Sequence, residues 1–177
     1  NETDGLACGV GLYQNKEGVP YCLPCIPSEY QDQASQTECS KCAKNTFSAV
    51  ASRNSSCDIC PAGYSSDEGS VKCSDCGVGK FGNLSGVSCK ACPTGWYQNR
   101  LAQQKCTECK IGEKYISDKD RCQSCNIGLY GSSNGICKEC PFGWIQDNQN
   151  QIKCIKCEIG EDYTSPKSLC QGCEAGK

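Results

Sequence analysis

Ten Cys-x-x-Cys pairs spaced almost evenly along 177 residues constrain this chain more than any other feature. They open at Cys22, Cys39, Cys57, Cys73, Cys89, Cys106, Cys122, Cys137, Cys154 and Cys170, after a single Cys8. The steps between them are 17, 18, 16, 16, 17, 16, 15, 17 and 16 residues. A period so short and constant describes an array of small units, each contacting mainly its neighbours. One copy runs from Cys60-Pro61-Ala62-Gly63-Tyr64 to Cys73-Ser74-Asp75-Cys76. It reads cysteine, glycine, aromatic, polar turn, then the pair whose second cysteine opens the next copy.

Such a chain has no material for one large core. Leu, Ile, Val and Phe together supply 26 residues against 21 cysteines, too few to bury a sizeable apolar interior. The net charge is only -2, so self-repulsion is weak and order falls to the sulfurs. Cysteine at this density implies an oxidising compartment, hence a secreted, extracellular or cell-surface protein. Three Asn-x-Ser/Thr glycan acceptors agree, at Asn1, Asn54 and Asn83. No apolar run approaches the ~20 residues of a membrane span. The chain has no Met, which is expected of one that has lost a signal peptide. Near-zero net charge offers no basic patch for nucleic acid.

A longer period lies over the short one. Type A units open at Cys8, Cys76 and Cys125, type B at Cys25, Cys92 and Cys140, and type C at Cys42, Cys109 and Cys157. The unit at Cys60 is a hybrid of A and B. This divides the chain into a first triplet (1–59), a hybrid unit (60–75), a second triplet (76–124), a third triplet (125–172) and the start of a further unit (173–177). The expected fold class is small, disulfide-rich and mostly irregular with short β-ribbons. It is an elongated rod of tandem ~16-residue units in a ~48-residue triplet super-repeat. In each unit the aromatic falls on an extended segment, and glycine with polar residues turns the chain back. Gly63 and its counterparts are placed for a positive φ; Ser28 and Asn45 stand there in two units, and serine suits that region poorly. The Gln-rich stretches of type B, at Gln31, Gln98 and Gln146, read as solvated turns or as ladders pairing strands between chains.

Two regular disulfide connectivities fit. The sequential one joins Cys8–Cys22, Cys25–Cys39, Cys42–Cys57, Cys60–Cys73, Cys76–Cys89, Cys92–Cys106, Cys109–Cys122, Cys125–Cys137, Cys140–Cys154 and Cys157–Cys170. The interlaced one makes modules of two pairs, such as Cys22–Cys39 with Cys25–Cys42. Spacing permits both, and two features favour the sequential scheme. The super-repeat holds three pairs, an odd number, so modules of two would fall out of phase with it. Gly5 also stands where an interlaced first unit would need a cysteine. Sequential pairing leaves Cys173 to bond beyond Lys177.

Catalytic chemistry is not expected. There is no histidine, so triads of the Ser-His-Asp or Cys-His kind are excluded. Paired Cys-x-x-Cys could bind zinc through four thiolates or do redox work. Ten tandem pairs with an aromatic in each suit bridging better, and neither a metal nor a cofactor is expected. Trp96 and Trp144 occupy equivalent places in two B units. Each covers its local disulfide, or the two mark an exposed contact stripe.

The runs Cys60-Pro61-Ala62-Gly63-Tyr64, Cys92-Pro93-Thr94-Gly95-Trp96 and Cys140-Pro141-Phe142-Gly143-Trp144 resemble the ephrin-receptor-like, growth-factor-receptor cysteine-rich repeats. The dense tandem pairs in triplets also look like ciliate-type cysteine-rich surface antigens. The resemblance implies an extracellular rod. The expected function is a structural or surface-coat protein, a glycosylated, disulfide-beaded stalk or filament subunit. The alternative is the stalk of a receptor or adhesion protein. Expected partners are other copies of itself or another extracellular protein, together with N-glycans.

Overall fold

The computed structural model describes residues 7–133 and 135–173. Among these residues every sheet has two strands, and each joins strands consecutive in the chain. β1 (Leu12–Tyr13) pairs antiparallel with β2 (Leu23–Pro24), β3 (Glu29–Tyr30) with β4 (Ser40–Lys41), β5 (Thr46–Phe47) with β6 (Asp58–Ile59), and β7 (Tyr64–Ser65) with β8 (Ser74–Asp75). β9 (Lys80–Phe81) and β10 (Lys90–Ala91) follow. Then β11 (Trp96–Tyr97) pairs with β12 (Thr107–Glu108), β13 (Glu113–Tyr115) with β14 (Cys122–Ser124), and β15 (Leu129–Ser132) with β16 (Ile136–Glu139). The last two hairpins are β17 (Trp144–Ile145) with β18 (Ile155–Lys156) and β19 (Glu161–Tyr163) with β20 (Cys170–Gly172).

Ribbons this short are not stable alone. A disulfide closes each loop, from Cys8–Cys22 through Cys157–Cys170 in sequential order, across separations of 12 to 15 residues. We number the repeats 1 to 10 by these ten bonds. Every opening cysteine from Cys8 to Cys157 is buried, with Cys25, Cys42, Cys60, Cys76 and Cys125 fully enclosed, and of the closing cysteines Cys57 and Cys106 are buried too. Among the described residues Ile145 is the one buried apolar side chain that is not a cysteine. The aromatics of the ribbons stay half-buried. Sulfur fills the space that leucine and isoleucine fill in an ordinary domain.

A second regularity ties each loop closed. The amide of the cysteine that opens the next repeat donates to the carbonyl of the glycine position of its own loop: Cys25 to Gly11, Cys42 to Ser28, Cys60 to Asn45, and so on to Cys173 and Gly160. That position has positive φ in every repeat, including Ser28 (φ 79) and Asn45 (φ 64). Serine takes the strained region because its backbone is fixed twice, by Cys42 and by donation to Ser48 at 2.8 Å.

The chain forms two compact units. The first comprises Asn1–Cys76, Gly82–Lys90 and Ala102–Gln104; the second comprises Gly77–Phe81, Ala91–Leu101 and Lys105–Lys177. In the first, the carbonyl of each opening cysteine accepts from the following repeat. Ser35 donates to Cys8 (2.7 Å), Ser52 to Cys25 (2.8 Å), Gly69 to Cys42 (2.8 Å), Gly86 to Cys60 (2.8 Å) and Ala102 to Cys76 (3.0 Å). The donors themselves have positive φ. In the second unit Asn150 donates in the same way to Cys125 at 3.0 Å. Two lysines replace the backbone donor elsewhere in that unit. The ammonium of Lys119 reaches the carbonyl of Cys92, and that of Lys167 reaches Cys140 at 2.7 Å.

The type B glutamines are not solvated turns. Gln31, Gln98 and Gln146 are 6%, 6% and 2% exposed. Each side-chain amide donates to a carbonyl seven residues on, at Glu38, Lys105 and Lys153 (2.6–2.7 Å). Each side-chain oxygen accepts from the amide two residues on, at Gln33, Arg100 and Asn148, at 3.0 Å. Glutamine is long enough to span the loop and satisfies a donor and an acceptor together, which offsets the cost of its burial. With these side chains turned inward, they form no ladder to another chain. Gln98→Ala therefore orphans the carbonyl of Lys105 and should cost about 1–3 kcal/mol, read as a fall in the melting temperature of the oxidised protein. Asn99→Ala, on the exposed neighbour, should change it little.

Candidate functional site

Ten of the eleven opening cysteines are bonded; Cys173 is an exposed thiol, and the expected bond beyond Lys177 lies outside the described residues. With the other sulfurs joined to one another, the thiolates that a zinc site needs are not available. The one grouping of metal-binding residue types among the described residues is Cys157, Glu161 and Cys170. Its two sulfurs form a disulfide, leaving a single carboxylate.

The acceptors Asn54 and Asn83 are both exposed and both lie in the first compact unit, whereas Asn1 lies outside the described residues. The loop carrying Asn54-Ser55-Ser56 is held by Arg53. Its Nε donates to the carbonyls of Ser55 (3.2 Å) and Ser56 (2.9 Å), and its two terminal nitrogens form a fork on Asp58 at 2.9 and 2.7 Å. The hydrogen bond from Arg53 holds the Asp58 carboxyl below the usual carboxylate range. The pair is therefore intact above the ordinary carboxylate pKa and weakens only as acid reaches the lower, folded value. Asp58 is exposed, so its weight in global stability is small.

Trp96 and Trp144 sit on β11 and β17, opposite Glu108 and Lys156, and are 36% and 37% exposed. Part of each ring does face water. A more exposed apolar feature lies at a position that the repeat pattern does not single out. The second residue after the opening cysteine in repeats 7 to 10 is Ile111, Ile127, Phe142 and Ile159. These side chains are 61%, 41%, 84% and 106% exposed. At that place repeats 1 and 5 also carry exposed apolar residues, Val10 and Val78, whereas repeats 2, 3, 4 and 6 carry Pro27, Lys44, Ala62 and Thr94.

Phe142 is fixed rather than loose. Its ring meets Tyr163 edge-on with centroids 5.9 Å apart. The Lys167 ammonium lies 5.2 Å from the Phe142 ring centre and 5.0 Å from that of Tyr163. The same ammonium is 3.8 Å from Glu139. Cation–π contact and the bond to the Cys140 carbonyl hold the lysine with its stem against the rings. Beside this cluster runs a groove of about 680 Å³, bounded by Ile127, Leu129, Glu139, Phe142 and Pro166. The corresponding lysine of the second triplet, Lys119, stands 5.7 Å from Tyr115, with Thr94 where Phe142 would be. The Phe142–Tyr163 ring contact is thus particular to the third triplet and not demanded by the repeat itself.

Disulfide-closed ribbons, eight of them bonded to the following repeat through the carbonyl of the opening cysteine, define a tandem cysteine-rich repeat protein. Residues 79–115 match the family described as tyrosine-protein kinase ephrin type A/B receptor-like, so the chain carries an ephrin-receptor-like cysteine-rich repeat. No curated protein matches the chain. The disulfides and this receptor-like repeat point to an extracellular or secreted protein. Among the described residues no helix is long and apolar enough to cross a membrane.

Proposed function

We propose that this chain is a non-catalytic structural segment of an extracellular surface protein, a stiff stalk or filament subunit carrying N-glycans at Asn54 and Asn83. The observation that carries this reading is the inter-repeat bond to the opening cysteine carbonyl, which recurs along both compact units. Each link joins a covalently closed loop to the next, so extension or bending of the backbone must break hydrogen bonds anchored on disulfides. The receptor-like match at residues 79–115 favours a second reading, the stalk of a receptor or adhesion protein. Negative-stain microscopy with light scattering on the non-reduced protein separates them. Fibres or sheets support the self-assembling structural role. Dispersed particles of monomer mass that bind another protein saturably would replace it with the receptor stalk.

A further inference from the structure

We infer that repeat 3 carries a modification site that is open for a limited time. Asn54 takes its N-glycan only before the Cys42–Cys57 loop closes, after which the Arg53 guanidinium holds the acceptor shut. Such control presupposes the glycosylated extracellular reading above and concerns one of the two sites named there. Repeat 3 closes across a separation of 15 residues, whereas repeats 7 and 10, of the same type C, close across 13. The extra length has one location. Ser52, Lys119 and Lys167 take positive φ at equivalent places. Four residues then lie between Ser52 and Cys57, against two between Lys119 and Cys122 and two between Lys167 and Cys170. The longer stretch holds Arg53 and the whole acceptor triplet, Asn54-Ser55-Ser56. Asp58, the other half of the clamp, stands where repeats 7 and 10 have Gln123 and Gln171. Acceptor and clamp therefore occur together, in this type C repeat and neither of the others.

Transfer joins the Asn54 side-chain nitrogen to the anomeric carbon of an oligosaccharide carried on a lipid pyrophosphate. The carbon–oxygen bond to pyrophosphate breaks, its electron pair leaves with the phosphate, and the amide loses one proton. The transferring enzyme must hold the carboxamide and the Ser56 hydroxyl together in its own site, so the triplet has to bend away from the protein. In the closed repeat it is held back. Arg53 Nε donates to the carbonyls of Ser55 and Ser56, and the terminal nitrogens donate to Asp58, beyond the buried Cys57. A guanidinium offers these donors in a rigid fork, so carbonyls and carboxylate are fixed at once. Closure oxidises the thiols of Cys42 and Cys57, and their two electrons and two protons reduce a disulfide-bonded oxidant to its dithiol. The two reactions thus compete for one open loop. Asn54 is exposed in the closed repeat, so a glycan attached in time is tolerated. Asn83 is the internal comparison. It lies six residues before Cys89, where Asn54 lies three before Cys57, and Gly82 and Gly86 flank its triplet in place of an arginine.

The test is the fraction of each asparagine filled when the full chain is produced in eukaryotic cells. Peptide mass spectrometry reads it after enzymatic release of the glycan, which leaves aspartate at every filled site. The intracellular pool is measured, so a variant that fails to fold still reports. In the wild type Asn54 should be filled in only part of the chains, and Asn83 in more of them. Cys42→Ser with Cys57→Ser should raise Asn54 to the level of Asn83, because the loop never closes. Arg53→Ala, which keeps the disulfide, should raise Asn54 by a smaller step and leave Asn83 as it was. A wild-type Asn54 filled as completely as Asn83 would overturn the competition while leaving the glycosylated reading in place. So would a partly filled Asn54 that neither variant moves. Asn54 and Asn83 both bare in every variant would overturn the glycosylated reading as well.

Discussion

Replacing Cys109 and Cys122 together by serine will loosen repeat 7 and its two neighbours while residues 8–57 keep their protection against hydrogen exchange. The bond closes a loop with a separation of 13 residues, and losing such a bond from a small disulfide domain costs about 2–5 kcal/mol. The damage stays local because the core is not shared. Cys109 is 7% exposed, and the amide of Cys109 bonds to Gly95 while Cys125 bonds to Gly112. Repeats 6 and 8 each lose a supported neighbour. Repeat 1 is held by its own Cys8–Cys22 bond and by the donation of Ser35 to Cys8, which that substitution leaves in place. Exchange followed by mass spectrometry reads this directly: protection lost across every repeat would mean one cooperative unit in place of a chain of semi-independent ones.

Gly131→Ala will be nearly as damaging, although it adds a single methyl. A Cβ there would lie 2.2 Å from the Cα of Gly112 and 2.3 Å from its nitrogen. Both are backbone atoms of the neighbouring repeat and cannot swing aside. Relief requires the ribbons to separate, which strains the bond from the Gly131 amide to the Gln151 carbonyl at 2.8 Å. Overpacking of this kind costs about 1–3 kcal/mol, occasionally more. Gly77→Ala is the control: nothing lies within 4 Å of a Cβ at that position, so its melting temperature should stay close to that of the wild type. Equal effects from the two substitutions would show that close backbone contact between repeats 7 and 8 is not what holds them.

Much of the fold was legible because its determinants are local. Each disulfide closes within 15 residues, and each ribbon is built between one cysteine and the next. Spacing marks where each aromatic strand lies and leaves two pairings, between which the odd number of pairs per triplet and Gly5 favour the sequential loops. The type B glutamines show the limit of such a pattern. By composition Gln31, Gln98 and Gln146 belong in solvated turns, but each directly follows a strand and the loop closes around it. The inward direction of one side chain is set by carbonyls seven residues away. Ser35, Ala102 and Lys119 show the same limit differently, with φ of 61, 56 and 53. No local rule selects alanine or lysine for positive φ. In Ala102 the conformation is imposed by the carbonyl of Cys76, a repeat earlier.

The candidate surface was the least legible part. Trp96 and Trp144 drew notice as large, equivalent residues, yet Phe142, two positions before Trp144, is the more exposed. Hydrophobicity says what a residue avoids; only its place in the ribbon says whether it succeeds. The sequence by itself determined the oxidising setting, the repeat period and the place of each aromatic strand, because sulfur spacing is a local constraint, and it favoured the sequential pairing over the interlaced one. The tertiary structure alone decided which polar side chains are buried, which residues accept strained φ, and which apolar ones are left outside. Those outcomes depend on contacts between successive repeats, at separations where chain order no longer fixes which atoms meet.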